Sequence, residues 1–243
     1  MKSIKTKITA VLVMVMLVMS QGCVVNGVNS VGGDGNVELR NYDIDKFNVL
    51  KLGGSFSVIL TEGKEEKLSI ETDENLHQYL NVESKNNVLN IYSDRDVVLR
   101  PTKLVVHVTY KNLEKVDISG ACKLTSESTI RSDSFILSIS GAGSGELNIE
   151  TKTLKTDVSG AASLALAGTA ATHNVSLSGA SSLNAEELIT EKTVISLSGA
   201  GAAKVHATEA LDASVSGVGS IKYHGEPKQK NTKVSGIGKI SGK

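Results

Sequence analysis

Val158-Ser159-Gly160-Ala161-Ala162-Ser163-Leu164 holds one copy of a phrase that recurs seven times. The copies begin at Ser119-Gly120, Ser140-Gly141, Ser159-Gly160, Ser178-Gly179, Ser198-Gly199, Ser216-Gly217 and Ser235-Gly236. The steps between them are 21, 19, 19, 20, 18 and 19 residues. Before each Ser stands an aliphatic residue: Ile118, Ile139, Val158, Leu177, Leu197, Val215 and Val234. After each Gly comes Ala121, Ala142, Ala161, Ala180, Ala200, Val218 or Ile237. A second apolar column follows five residues after the Ser at Leu124, Leu164, Leu183, Ile221 and Ile240. In two copies it is read at seven residues, Leu147 and Val205, with Gly143-Ser144 and Gly201-Ala202 taken as insertions.

A fixed period near 20 residues is the mark of stacked supersecondary units. Aliphatic, Ser, Gly, small alternates with period two, as a strand with one buried face does. A shared glycine column calls for φ > 0 or for backbones too close to admit a Cβ. The serines would stand about 4.8 Å apart in their own column, able to bond to each other or to backbone. No 3.6-residue period and no L-x-x-L-x-L phrase runs through these copies. The expected fold is therefore all-β: a right-handed parallel β-helix, a single-stranded solenoid of about 19–20 residues per coil.

Residues 116–243 are read as the coils of that solenoid. Residues 37–115 are read as its N-terminal β-rich capping part, since a stack needs an atypical terminal unit. Six of the eight aromatics (Tyr42, Phe47, Phe56, Tyr79, Tyr92 and Tyr110) fall there. Strands are expected at Phe47–Leu52, Phe56–Leu60, Leu68–Ile70, Val88–Tyr92 and Leu104–Val108, with turns near Gly63-Lys64, Lys85-Asn86-Asn87 and Pro101. Glu74 to Leu80 reads as one helical turn.

Residues 1–22 are a targeting segment. Lys2, Lys5 and Lys7 precede an uncharged apolar run from Ile8 to Met19, too short to span a bilayer. Ser20-Gln21-Gly22-Cys23 follows and resembles a bacterial lipoprotein signal, in which Cys23 becomes the acylated N-terminus. Leu is usual where Ser20 stands, and an ordinary signal peptide with an incidental Cys is the alternative. Residues 23–36, rich in Gly, Asn and Ser, read as a flexible tether. The only other cysteine, Cys122, lies in the first copy. A Cys23–Cys122 disulfide would constrain little, and a small buried hydrophobe is the simpler role for Cys122.

Without the three leader lysines, 23 basic residues face 26 acidic ones, and no basic stripe offers itself to a phosphate backbone. Nucleic acid is excluded as a partner on that ground. No cofactor is called for. His77, His107, His173, His206 and His224 are read as sharing no column, so no metal site is assigned. Gly141-Ala142-Gly143-Ser144-Gly145 mimics a phosphate loop but opens no helix.

The stretch from Phe47 to Gly236 resembles the head GIN domain family, whose name proposes an auto-transporter adhesin role in Bacteroidetes. The resemblance rests on the phrase at Phe47–Leu60 (FNVLKLGGSFSVIL), on Leu104-Val105-Val106 with Leu113-Glu114-Lys115-Val116, and on the serial S-G-A copies. It implies a β-helical envelope lipoprotein and brings no catalytic or binding residue with it. The expected function is a non-enzymatic, adhesin-like binding or structural module, lipid-anchored by Cys23 to the cell envelope, at the outer membrane. It would meet an envelope or extracellular protein or glycan as a monomer, its last strand blunted by Pro227 and the charged run Glu226 to Lys233. The alternative is a carbohydrate-active enzyme, a polysaccharide lyase or hydrolase. Its nearest acids are Asp117 and Asp157, two coils and about 9.6 Å apart with Ser138 between. That spacing is at the outer limit for an inverting pair.

Overall fold

The computed structural model describes residues 29–243. Eight strands precede residue 101: β1 (Asn29–Gly32), β2 (Val37–Tyr42), β3 (Val49–Gly53), β4 (Ser57–Glu62), β5 (Lys67–Asp73), β6 (Leu80–Lys85), β7 (Val88–Ser93) and β8 (Val97–Arg100). A 3₁₀ turn, Glu74–Tyr79, joins β5 to β6 where a helical turn is expected. Then come β9 (Leu104–Tyr110), β10 (Lys115–Ile118), β11 (Lys123–Ser126), β12 (Ile130–Ile139) and the 74-residue β13 (Ala142–Val215). The chain ends with β14 (Val218–His224), β15 (Gln229–Val234) and β16 (Ile237–Gly242).

The protein is all-β, but the expected right-handed parallel β-helix solenoid is overturned by the strand order. Fourteen strands form one mixed sheet, nearly closed into a barrel, with the path β2-β5-β9-β4-β11-β13-β12-β10-β3-β7-β6. Three of its ladders are antiparallel: β2 with β5, β5 with β9, and β6 with β7. The recurring phrase reports only that residues one period apart are parallel neighbours. Before residue 116 no phrase recurs, and short turns reverse the chain instead. Asn86 and Asn87, with φ of 53° and 62°, make the two-residue turn between β6 and β7, a conformation in which Asn is enriched.

The strands of residues 37–115 other than β8 join the same sheet. β3 pairs with both β7 and β10, and β4 with both β9 and β11, so the early strands continue the same wall. The aliphatic column before the Ser extends back through them as Ile91, Leu52, Ile118, Ile139 and Val158 in direct register. One hydrophobic cluster runs from Phe47 to Ile221. The stretch read as a tether is also partly structured: β1 pairs with β8, and Gly35 N–H bonds to the Asp73 carboxylate at 2.8 Å.

A straight run of β13's length would span about 240 Å at ~3.3 Å per residue. It turns back on itself instead, and the glycine column shows how closely. A Cβ on Gly120, Gly141, Gly160, Gly179, Gly199, Gly217 or Gly236 would overlap the carbonyl oxygen of the preceding member, beginning with Gly54. Within the seven, only Gly179 and Gly236 have positive φ. Close approach of backbones, not a left-handed conformation, is the common cause. The Ser column points mostly outward. Ser119, Ser140 and Ser178 donate to the carbonyls of Leu52, Ile118 and Val158 at 3.3–3.4 Å, bonds at the weak end of the range.

The two supposed insertions do not exist. Leu124 pairs with Gly145 and Ala203 with Ile221, so every copy keeps its register. The column five residues after the Ser simply changes size. Leu164 fills the space at Gly145, where a Cβ would stand 2.8 Å from Leu164 Cδ2. Along β13 the interior is lined by Ala162, Ala170, Ala185, Ala203, Ala207 and Ala213 among the leucines and valines. His173 lies in this narrow part, 1% exposed, with Nε2 3.0 Å from Thr156 Oγ1. Burial pushes its pKa down to about 3.

Two outcomes are expected of this packing. Gly160→Val should cost more than about 1 kcal/mol, because backbone must move. Thr169→Val, on an exposed position, should be near neutral, and equal Tm values for the two would contradict the column. For His173, the unfolded chain binds a proton near pH 6.5 that the folded chain refuses until about pH 3. Its contribution to stability is whole above pH 6.5 and falls by roughly 1.4 kcal/mol per pH unit below that. Urea unfolding between pH 7 and 4.5 should show this slope, reduced in His173→Gln. An unchanged slope in the variant would refute the assignment.

Candidate functional site

Because β7, β3 and β10 run parallel in register, their ends lie side by side. The segments leaving these strands therefore collect in one place: Gly53–Phe56 from β3, Asp94–Arg95 from β7, and Ser119–Ala121 from β10. With β8, Pro101 and Leu104 they bound a groove of about 1150 Å³. Its apolar lining is Phe56, Val97, Val98, Leu99, Pro101 and Leu104. Its polar lining includes Asn90, Tyr92, Ser93, Asp94, Arg95 and Ser119. Gly53, Gly54 and Gly120 add bare backbone to the lining. A Cβ on Gly54 would stand 2.5 Å from the Phe56 ring, so the missing side chain is what lets that ring tuck in.

The polar side is partly held in place. Tyr92 donates to Glu83 Oε1 at 2.6 Å, and that bond with burial raises the phenol's pKa. Asn81 Nδ2 donates to Asp94 Oδ1 at 2.6 Å. Arg95 is exposed and has no ion-pair or hydrogen-bond partner among the described residues. No His, Cys, Lys or Glu lines the groove. Asp94 is the one carboxylate in the lining, and its Oδ1 accepts from Asn81. The arrangement offers hydrogen bonds beside an apolar wall, which is recognition chemistry.

Of the residues singled out in the sequence, Cys23 lies outside the described residues. The seven glycines come together in one column, and Gly54 heads it. Asp117 and Asp157 are on adjacent ladders of Ser138, two positions apart. Each is held by its own lysine, Lys115 at 3.2 Å and Lys155 at 2.7 Å. They make two half-exposed surface ion pairs, not an acid–base pair. Cys122 is buried with Sγ 3.7 Å from the Gly54 carbonyl, and burial raises its pKa. That suits a packing role over a reactive one.

The histidines need correction, since two do share a column. His206 and His224 are direct partners, each eight residues after its Ser, with rings 6.4 Å apart. Glu186 occupies the same offset one copy earlier. His224 Nε2 is 3.2 Å from its Oε1, while Lys204 holds Oε2 at 3.0 Å and lowers its pKa. Among the described residues no group of three or more His, Cys, Asp or Glu is placed to hold a metal ion. The groove residues Tyr92 and Arg95 carry no sequence motif. The one available signal is Leu52-Gly53-Gly54-Ser55, a divergent copy of the phrase with Gly53 in the Ser position.

This all-β architecture matches a known class. The profile of the family described as "Putative auto-transporter adhesin, head GIN domain" covers residues 46–227, and the chain belongs to that family. The crystal structure of a "putative adhesin" from Bacteroides fragilis superposes with a TM-score of 0.85 at 25% identity, over 88% of this chain and 100% of that one. A "putative lipid binding protein" from Parabacteroides distasonis gives 0.72 at 23%, over 88% and 100%. A "putative adhesin" from Parabacteroides merdae gives 0.63 at 24%, over 88% and 99%. The last two likenesses are of fold alone. No curated protein matches the chain. The family's description points to adhesion at the cell envelope or surface and not to catalysis. Among the described residues no helix is long and apolar enough to cross a membrane, which leaves strands out of account.

Proposed function

We propose that the protein is a non-enzymatic binding module of the cell envelope, anchored at the outer membrane through a lipid on Cys23. Its ligand is an envelope glycan taken in the groove beside Gly53 and Gly54. The observation that carries this reading is Arg95, an exposed guanidinium without a partner among the described residues, in a groove lined also by Tyr92, bare glycine backbone and aliphatic side chains. A sugar presents the same mixture, hydroxyls at its edge and C–H groups on its faces. The enzyme alternative loses its support with Asp117 and Asp157, whose carboxylates are each engaged by a lysine.

Two measurements test the two halves of the reading. Cys23→Ala should leave the protein unprocessed or release it from the membrane fraction. A variant that is processed and fractionates like wild type would refute the anchor. Calorimetric titration of the full chain with isolated envelope polysaccharides should show binding that Arg95→Ala weakens about tenfold. That corresponds to ~1.4 kcal/mol, within the range of a charge-assisted hydrogen bond. Equal affinity in Arg95→Ala, or no binding by wild type, would refute the groove.

A further inference from the structure

If Cys23 carries the anchor, as proposed above, only Val24–Val28 separate it from Asn29, which is paired with Val97. Six residue steps reach at most about 20 Å. No slack remains after Asn29. β1 is in register with β8 from Asn29↔Val97 to Gly32↔Arg100. Beyond it the chain is clasped: Gly33 N–H bonds to the Arg100 carbonyl at 2.9 Å, and Asn75 Nδ2 to the Gly32 carbonyl at 2.8 Å. The buried Asp73 carboxylate takes Gly35 N–H at 2.8 Å and Thr102 N–H at 2.7 Å. A Cβ on Gly33 would overlap that carboxylate, so the Gly32–Asn36 stretch is built to close on it.

The strand tied so near the anchor has an outward face of its own. Burial alternates along β8, leaving Val98 and Arg100 exposed and Val97 and Leu99 half-buried. Val98 is 49% exposed, an aliphatic residue in the open at the rim of the groove. Arg95 and Arg100 flank it without acidic partners among the described residues, and Asp96 is the nearby exposed carboxylate. An exposed aliphatic between unpaired guanidiniums suits the boundary of headgroups and acyl chains.

We propose that the β1–β8 edge rests on the lipid surface that holds Cys23, through Val98 and Arg100. The groove lies beside that contact, with Arg95 left to its own ligand. Gly236 lies seven glycine steps further along the wall, with Ile237, Lys233, Lys239 and Lys243 exposed.

The test uses the full acylated chain in vesicles of phosphatidylethanolamine and phosphatidylglycerol, some lipids carrying a headgroup nitroxide. A fluorophore is attached at Val98→Cys in one sample and at Ile237→Cys, 80% exposed in the wild type, in another. Cys122 is buried and Cys23 acylated, so each variant offers one thiol. The label at position 98 should be quenched at least twofold and the label at position 237 not at all. Retention on the vesicles with equal quenching at both positions, or with none at 98, would overturn the orientation alone. Failure of the chain to stay with the vesicles would overturn the anchor and the orientation together.

Discussion

Each glycine of the column brings its segment down onto the carbonyl of the glycine before it. No side chain can stand between them, because even a methyl group would overlap that oxygen. This contact fixes the spacing of the wall at one corner, and the neighbouring amides register against it. Ala121 N–H bonds to Gly54 O, Ala142 to Gly120 O and Ala161 to Gly141 O, at 2.7–3.1 Å. With the corner fixed, the aliphatic residue before each Ser is carried inward at the same height on every pass. Surface ion pairs such as Lys155–Asp157 add little by comparison, about 0.2–1 kcal/mol each. The backbone contact sets the geometry, and burial of the columns stabilises it.

The same contact explains how the groove arises. At Gly54 the column meets its first member, and there the Phe56 ring turns in where a side chain would have been. The strands on either side end at one level because they are parallel, so their departing loops share a mouth. β8 closes one side and carries β1, which links the mouth to the N-terminal segment. The place of the groove is thus a consequence of where the glycine column starts.

Some of this is legible in the sequence and some is not. The all-β class, the glycine column and the turn at Asn86-Asn87 each have a local signal, and the structure contains them. The mixed order of the sheet has none. Antiparallel pairing of β2, β5 and β9 is decided by long-range packing of residues that share no phrase. The apparent insertions arise from expecting a large apolar residue in every copy, when Gly145 leaves room that Leu164 takes. That same false shift hides His206 and His224, since correct register puts both eight residues after their Ser. The groove is invisible in the sequence because Tyr92 and Arg95 come from a different strand than Gly120 and are neighbours only through the sheet. The tether misleads because Gly-rich composition also suits a segment that must pass close to the Asp73 carboxylate.

The claim that the glycine contacts hold the wall is tested most directly by native-state hydrogen exchange at Ala121, Ala142 and Ala161. These residues are exposed on the surface, so their side chains give their amides no shelter. If the glycine column is the tight corner of the fold, the three amides will exchange as slowly as those of the core strands, such as Val116 and Leu137. Exchange at these amides near the rate of an open loop would mean that the corner breathes, and that something other than the glycine contacts sets the spacing.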